Sequence, residues 1–323
     1  MTTRRRTLLL LSSALAVLGL LAGCSNDPAA DEPGAATTTT ETTAPTAPPP
    51  ECDPTASYTP LDPRPEPNQM PAGSKMEEIQ KRGKLIVAVS GDLPLFGSLN
   101  PASNQLEGFD IDMAKAVARA IFGTDEGHMQ YKVVSFAQRI PDLQEDRVDM
   151  VADIMTMNCA RWELINFSVQ YFTAGQQILV AKDSGIRGVA DLSGKKACAA
   201  ARSTSADLLN EPDYAQVQQV IVGDVSDCMV EFQAGTVDAI VGDNTVLAGF
   251  AAQDPYAEIV GGGLLTTEPY GLGFKKDAVD FTRFVNSVLA EMFTDGEWAA
   301  LYEKWLDVPA PAPPVPNFSR PLP

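Results

Sequence analysis

The sequence predicts an α/β protein with open parallel sheets covered by helices on both faces. Continuous apolar, β-branched runs of strand length alternate with segments whose apolar residues recur at helical spacing. The clearest strand is LIVAV at residues 85–89, a pattern typical of a buried parallel strand. Because strands and helices alternate, we expect βαβ units, whose strands are parallel.

The first predicted helix follows this strand. Asp110 is the expected N-cap and Gly123 the expected end, since Asp accepts hydrogen bonds at helix starts and Gly adopts the left-handed conformation at helix ends. Five apolar residues share one face at helical spacing: Ile111, Ala114, Val117, Ala118 and Ile121.

Further elements follow along the chain. Strand-like runs occur at residues 148–155, 195–200 and 237–241, and amphipathic helices are predicted within residues 281–292 and 298–305. The folded region, about residues 76–308, is long enough for one large or two small domains.

The amino terminus has the pattern of an export signal. Arg4–Arg6 precede an apolar run, Leu8–Leu21, that is too short for a membrane span, which predicts a signal peptide at residues 1–23. The run ends in LAGC, which resembles a bacterial lipobox and implies cleavage before Cys24 with a diacylglycerol on its sulfur. An ordinary signal with an incidental cysteine is the alternative.

Two flanking segments have compositions that cannot supply a core. Residues 24–75 are rich in Thr, Pro, Ala and Asp and predict a tether, and the Pro-rich residues 309–323 predict a disordered tail.

Composition also excludes some classes of function. A formal net charge of −18 opposes nucleic acid and anionic lipid as partners of the surface. The sequence has no C-x-x-C, no Ser/His/Asp grouping and no Gly-rich phosphate loop, so we expect no metal, no cofactor and no enzyme.

Three charged residues together suit a free amino acid. A buried zwitterion needs a fixed cation for its carboxylate and a fixed anion for its ammonium, which Arg161 and Asp243 can supply. Arg139 is then surplus, and a ligand with a second carboxylate would use it. Asp243 could instead simply cap a helix at residues 244–250.

Eight segments in order resemble the extracellular solute-binding proteins of ABC importers for polar amino acids. They are GKLIVAV, EGFDIDMAKAVA, RIPDLQEDRVDMV, MTMNCARWELINFSVQYF, DLSGKKACAA, GTVDAIVGDN, PYGLGFKK and DGEWAALYEKW. The resemblance implies a two-lobed periplasmic-binding-protein-like (type II) fold with a ligand cleft between the lobes. Lobe one would comprise residues 76–176 and 272–308, lobe two residues 182–267, and the hinges residues 177–181 and 268–271.

The same resemblance implies roles for individual residues. Arg161 and Thr156 would bind the α-carboxylate, and Asp243 would bind the ammonium group. Ser203 and Thr204 would add hydroxyl and backbone N–H donors from lobe two, before a helix whose dipole favours an anion.

Arg139 carries the predicted specificity. Family members for glutamate or aspartate resemble this chain in having an arginine before the I-P-x-L segment, whereas glutamine binders lack a cation there. We therefore expect glutamate or aspartate as ligand, with glutamine or asparagine as the alternative. A ligand amide would leave Arg139 unpaired.

Three further candidates are less constrained. Phe96 could cover the methylene groups of the ligand or belong to the core, and Ser90 occupies a position where members of the family differ. Arg202 replaces a usual glycine and could reach the ligand, pair with Asp153 or point to solvent. Asp153 itself stands where a small residue is usual.

The cysteines fit an exported protein. Apart from Cys24, four remain, which allow three pairings in an oxidising compartment. Because Cys198 and Cys228 both fall in the lobe two implied by the resemblance, we favour that pair, which leaves Cys52 for Cys159.

The expected protein is a monomer on the outer face of the cell membrane, held there by its lipid. Its partner would be an ABC permease or, alternatively, a membrane signalling protein that responds to the bound amino acid. An enzyme similar to the dehydratases that resemble amino-acid receptors is the remaining rival.

Overall fold

The computed structural model describes residues 52–323. The predicted signal peptide, Cys24 and most of the predicted tether lie outside the described residues. The strands are β1 Leu85–Val89, β2 Asp92–Leu93, β3 Gly97–Asn100, β4 Gln105–Glu107, β5 Met129–Val133, β6 Met150–Val151, β7 Ile165–Phe167, β8 Phe172–Ala174, β9 Gln176–Ala181, β10 Lys196–Ala200, β11 Gln218–Val222, β12 Ala239–Asp243, β13 Ala257–Ile259, β14 Glu268–Tyr270 and β15 Gly273–Lys275. The α-helices are α1 Lys75–Arg82, α2 Phe109–Phe122, α3 Arg139–Gln144, α4 Cys159–Leu164, α5 Thr204–Leu208, α6 Val225–Gln233, α7 Asn244–Gln253, α8 Val279–Asp295 and α9 Glu297–Leu306.

Each lobe is built on a five-stranded sheet. The sheet of lobe one has the order β5-β1-β6-β15-β7, and the sheet of lobe two has the order β11-β10-β12-β9-β13. In both sheets the strands of the βαβ units are parallel, as predicted. The strand that runs opposite to the others, β15 in lobe one and β9 in lobe two, adjoins a point where the chain passes between the lobes. The two-lobed α/β fold is confirmed.

The chain crosses between the lobes on two paired strands, β8 and β14. β14 contains Pro269, where the second hinge is predicted. The first crossing lies at Phe172–Ala174, before the predicted hinge at residues 177–181. Those residues belong to β9 inside the sheet of lobe two, where β12 and β13 pair with them on both sides. The predicted first hinge, residues 177–181, therefore lies on the carboxyl-terminal side of the observed crossing at β8.

Helix α2 begins differently from the prediction. Gly108, and not Asp110, is its N-cap, with φ 141°, and a Cβ there would lie 2.1 Å from the carbonyl oxygen of Phe96. Only glycine fits this approach. The buried Asp110 carboxylate instead accepts hydrogen bonds from the Ile154 N–H and the Tyr171 hydroxyl, each at 2.7 Å. The predicted end of the helix at Gly123, with φ 81°, is confirmed.

The segment that follows Cys52 is part of the fold, although the composition predicts a tether up to residue 75. Ser57 is fully buried, and its hydroxyl donates to the Phe167 carbonyl at 2.8 Å. Tyr58 is 4 % exposed and donates to Asn166. A few anchors of this kind hold a Pro-rich segment through backbone and side-chain hydrogen bonds, which composition does not reveal.

The carboxyl-terminal segment, predicted as a disordered tail at residues 309–323, packs on the same face of lobe one. The Ser57 N–H donates to the Asn317 carbonyl at 2.8 Å, and the Arg320 N–H donates to the Ser57 carbonyl at 3.0 Å. The Arg320 guanidinium also lies 3.5 Å from the centre of the Trp162 ring. Because Trp162 belongs to α4, both terminal segments support that helix.

The structure contains both disulfides that the sequence favours. Cys52 is bonded to Cys159 at the start of α4, and Cys198 of β10 is bonded to Cys228 of α6. The first disulfide fixes the amino-terminal segment on lobe one, and the second joins a strand to the helix that covers it in lobe two.

Candidate ligand-binding site

A small, partly enclosed cavity lies between the two lobes. Lobe one contributes Phe136, Arg139, Ile154, Thr156 and Arg161 to its wall. The polar residues contributed by lobe two are Ser203, Thr204, Ser205 and Asp243. The cavity thus brings together six of the residues that the sequence singled out: Arg139, Thr156, Arg161, Ser203, Thr204 and Asp243.

Arg161 enters the cavity from α4. The Asn158 side chain caps this helix by accepting from the Arg161 N–H at 2.8 Å. The Arg161 guanidinium donates to the carbonyl of Thr156 at 2.7 Å and, across the cleft, to the carbonyl of Arg202 at 3.1 Å. Burial lowers the pKa of Arg161 to about 10, and the neighbouring charge of Arg139 contributes. The side chain remains a cation that two backbone carbonyls orient.

Arg139 is the first residue of α3 and is more deeply buried. Its guanidinium donates to the carbonyls of Phe136 at 3.3 Å and Asp153 at 2.8 Å. It also stacks on the Phe136 ring, 4.1 Å from the ring centre. Burial lowers the pKa of Arg139, whereas the charges of Asp153 and Asp243 oppose that shift. Backbone oxygens and an aromatic face therefore hold the guanidinium in one orientation.

Neither guanidinium is neutralised by direct contact. Arg139 is 2 % exposed and Arg161 is 8 % exposed. Within residues 52–323, no carboxylate oxygen lies within 4.0 Å of a nitrogen of either side chain. Buried charges in proteins are normally paired, so two unpaired cations on one cavity make it a site for anionic groups.

Asp243 ends β12 on the opposite side of the cavity and is 9 % exposed. It occupies the N-cap position of α7 but makes no side-chain capping hydrogen bond. Its carboxylate instead accepts a hydrogen bond from the Tyr270 hydroxyl. Burial raises the pKa of Asp243 to about 7, against the opposing effect of that hydrogen bond and of the two arginines. The side chain is therefore held toward the cavity and is not used as a helix cap.

Ser203 and Thr204, the two hydroxyl residues of lobe two that the sequence singled out, are already engaged. The Ser203 hydroxyl caps α5, because it accepts from the Ala206 N–H at 3.0 Å and donates to the Ala200 carbonyl at 2.7 Å. The Thr204 hydroxyl donates to Glu268 at 2.9 Å. Their hydroxyls thus shape this wall of the cavity. The donors that can serve a ligand include the Ser205 hydroxyl and the first N–H groups of α5, apart from the Ala206 N–H, which donates to Ser203.

Three predicted candidates do not line the cavity. Phe96 is fully buried, and its ring packs edge-on against Phe172 at 5.2 Å, which supports the core interpretation. The Ser90 hydroxyl donates to Asp92 at 2.8 Å. The Arg202 side chain is exposed, while its backbone, with φ 61°, has the left-handed conformation that glycine adopts easily.

The aromatic residue of the cavity is Phe136, which the sequence did not single out. It stands three residues before Arg139, in SFAQRIP, so the turn that leads into α3 brings ring and guanidinium together. In the sequence, the only feature that could have pointed to Phe136 as a cavity residue is its spacing of three residues from Arg139. Ile154, another lining residue, has the unusual φ of 39°, and the Asp110 carboxylate holds its N–H.

Other kinds of site find no support in the described part of the chain. Within residues 52–323, no group of three or more His, Cys, Asp or Glu residues is arranged to hold a metal ion. Among the helices of the same residues, none is both long and apolar enough to cross a membrane.

Two α/β lobes that close over a small charged cavity define a solute-binding protein. The sequence model of the bacterial extracellular solute-binding proteins, family 3, matches residues 85–308. The chain belongs to this family. It is therefore an exported solute-binding protein and not an enzyme, as the sequence predicts.

Known relatives and structures agree with this membership. The chain is 37% identical to the glutamine-binding protein of Geobacillus stearothermophilus, over 72% of this chain and 88% of the relative. It is 31% identical to the glutamate-binding protein GluB of Corynebacterium glutamicum strain ATCC 13032, over 68% of this chain and 78% of the relative. The solved structure of an ancestral arginine-binding protein bound to glutamine has a TM-score of 0.65 and 34% identity, over 70% of this chain and 99% of that one.

Proposed function

We propose that the protein is a lipid-anchored receptor for an acidic amino acid, glutamate or aspartate, which it delivers to an ABC importer. The observation that carries this proposal is the pair of buried guanidinium groups, Arg139 and Arg161, that line one cavity and have no ion-pair partner within 4.0 Å among residues 52–323. One carboxylate, Asp243, faces the same cavity. A ligand with two carboxylates and one ammonium group matches these three charges.

Each charge would take one end of the ligand. Arg161, with the Thr156 hydroxyl, binds the α-carboxylate, because the guanidinium is oriented by two carbonyls and retains further N–H donors for a bidentate contact. Asp243 binds the ammonium group. Arg139 binds the distal carboxylate, and the Phe136 ring beside it packs against the methylene groups.

The cellular role follows from the sequence and the family. Cys24 would carry the lipid, and the intervening residues would connect it to the domain that begins near Cys52. An exported family member that binds an amino acid at the cell surface suits delivery to an ABC permease. The Corynebacterium relative is itself named a glutamate-binding protein.

Glutamine is the second candidate ligand. The relative with 37% identity is named a glutamine-binding protein, and the structure of the ancestral arginine-binding protein is described as bound to glutamine. Glutamine satisfies Arg161 and Asp243 equally well. It differs at Arg139, where its amide oxygen accepts a hydrogen bond but brings no charge, so the proposal predicts weaker binding.

Calorimetry on the mature chain tests this proposal. The oxidised protein with Cys24→Ser is unfolded to remove bound ligand, refolded, and titrated with glutamate, aspartate, glutamine and asparagine at neutral pH. We expect an acidic ligand to bind about five- to tenfold more tightly than its amide, since a charge-assisted hydrogen bond exceeds a neutral one by about 1–1.5 kcal/mol. Tightest binding of glutamine or arginine would contradict the proposal.

A further inference from the structure

Asp153 is a buried carboxylate that the binding roles above leave unused. It is 1 % exposed, and within residues 52–323 neither of its carboxylate oxygens has a hydrogen-bond partner. Its own backbone carbonyl accepts from the Arg139 guanidinium at 2.8 Å, and the next residue, Ile154, lines the cavity. Asp153 therefore adjoins the part of the cavity that would hold the distal group of the ligand.

A buried carboxylate without hydrogen bonds is costly unless a nearby cation compensates it. Within residues 52–323, the charges that act most strongly on the pKa of Asp153 are that of Arg139, which lowers it, and those of Asp110 and Asp92 of lobe one and Asp224 of lobe two, which raise it. Three negative neighbours and one positive neighbour make the ionised form of Asp153 dependent on Arg139.

We propose, on the basis of the proposed function, that Asp153 is a positioning residue that sets the choice between acidic and amide ligands through Arg139. When Asp153 is ionised, it competes with the distal carboxylate of the ligand for the charge of Arg139. When Asp153 is protonated, the whole charge of Arg139 is available to that carboxylate. An amide ligand brings no second charge, so its affinity depends much less on Asp153.

Both forms of Asp153 are accessible near neutral pH. Burial raises the pKa of Asp153 to about 7, and Arg139 opposes the shift. A ligand carboxylate bound at Arg139 adds negative charge nearby and raises the pKa further. Glutamate binding is therefore coupled to proton uptake, and glutamate affinity is greatest below the pKa of the free protein and falls as the pH rises through it.

Other titrating groups can be separated from this effect. Burial also raises the pKa of Asp243 to about 7, but Asp243 faces the ammonium group that glutamate and glutamine share. Its contribution cancels in the ratio of the two affinities. Asp110, whose pKa burial raises to about 6, accepts two hydrogen bonds, whereas Asp153 accepts none, so Asp153 is the group that takes the proton first.

The test is the glutamate-to-glutamine affinity ratio as a function of pH, in the mature oxidised chain and in its Asp153→Asn variant. Calorimetry at pH 6, 7 and 8 should show the ratio falling severalfold across this range in the parent protein, by less than about tenfold per pH unit, which is the limit for one linked proton. In Asp153→Asn the ratio should be high and constant. Titrations in buffers of different ionisation enthalpy should show proton uptake with glutamate, less with glutamine, and no difference between the two in the variant.

Each outcome is decisive. A constant ratio in the parent protein overturns the inference, and so does a slope that survives in Asp153→Asn. If the variant fails to fold, the difference in proton uptake between the two ligands in the parent protein still decides. If glutamate and glutamine both bind without these effects, the inference fails and the receptor function stands. If neither binds, the proposed function fails and the inference falls with it.

Discussion

The sharpest prediction concerns Arg139→Met. Methionine keeps most of the volume and flexibility of the arginine stem but removes the charge and all five N–H donors. Arg139 is 2 % exposed, so water cannot replace the lost donors without opening the wall beside Phe136. The change therefore removes one ligand contact while it leaves Arg161 and Asp243 in place.

The size of the effect follows from the contact that is lost. A charge-assisted hydrogen bond contributes about 1.5–3 kcal/mol, so the loss of a bidentate guanidinium–carboxylate pair should weaken glutamate binding by about 3 kcal/mol, or about 150-fold in Kd. Glutamine loses at most a hydrogen bond from a cation to an uncharged oxygen. We expect its Kd to rise about tenfold or less, so the preference for the acid is largely lost.

Calorimetry with both ligands measures this difference directly, and thermal unfolding shows whether the variant is folded. Arg139→Met also leaves Asp153 without its cation, and the matched control is therefore the same substitution in an Asp153→Asn background. Equal losses for glutamate and glutamine in both backgrounds would refute the role of Arg139 in recognising the distal carboxylate.

Three further predictions address the rest of the site and its support. Arg161→Ala and Asp243→Ala should each weaken glutamate and glutamine alike, by about 3 kcal/mol or more, because they contact groups that both ligands share; a loss confined to glutamate in calorimetry would contradict this. Asp153→Asn should stabilise the unliganded protein at pH 8 by up to about 4 kcal/mol in urea unfolding. The reason is that burial raises the pKa of Asp153 from 3.8 to about 7 on folding, so the stability that the parent protein has below pH 3.8 is lost as the pH rises through 7. A less stable variant at pH 8 would be the opposite result. Replacing Cys52 and Cys159 by serine should lower the free energy of unfolding by about 2–4 kcal/mol and also weaken ligand binding, since Cys159 begins the helix of Arg161. Loss of the other disulfide, which spans 30 residues instead of 107, should lower the free energy of unfolding by about 1 kcal/mol less. Unchanged unfolding midpoints would contradict both expectations.

The charged residues of the site could be predicted from the sequence, because the ligand class dictates which charges a binding site must contain. Arg139, Arg161 and Asp243 occur in segments with recognisable order, and a zwitterionic ligand restricts which charges can face it. The strands could be predicted because continuous apolar runs such as LIVAV, residues 85–89, have few other uses in a soluble chain.

Other features depend on contacts between distant residues and could not be predicted. Phe96 and Phe136 are both aromatic residues close to predicted site segments, and only the packing shows that the first belongs to the core and the second to the cavity. Asp110 looks like a helix cap in sequence, but it is bound by Ile154 and Tyr171 from other parts of lobe one.

The terminal segments show the limit of composition most clearly. Their Pro-rich sequences offer almost no apolar periodicity, yet Ser57, Tyr58 and Arg320 anchor them on lobe one. Hydrogen bonds to backbone carbonyls, one stack on Trp162 and a few isolated apolar contacts, such as Phe318 on the core, take the place of a periodic hydrophobic face. The supported helix, α4, carries the arginine that would bind the α-carboxylate, so the ordering of these segments serves the site.

The most direct measurement is a crystal structure of the refolded protein grown with L-glutamate. The account predicts the α-carboxylate at Arg161, the ammonium group at Asp243 and the distal carboxylate in a bidentate contact with Arg139. A distal carboxylate that turns away from Arg139, or a ligand that does not contact all three side chains, would contradict the central claim.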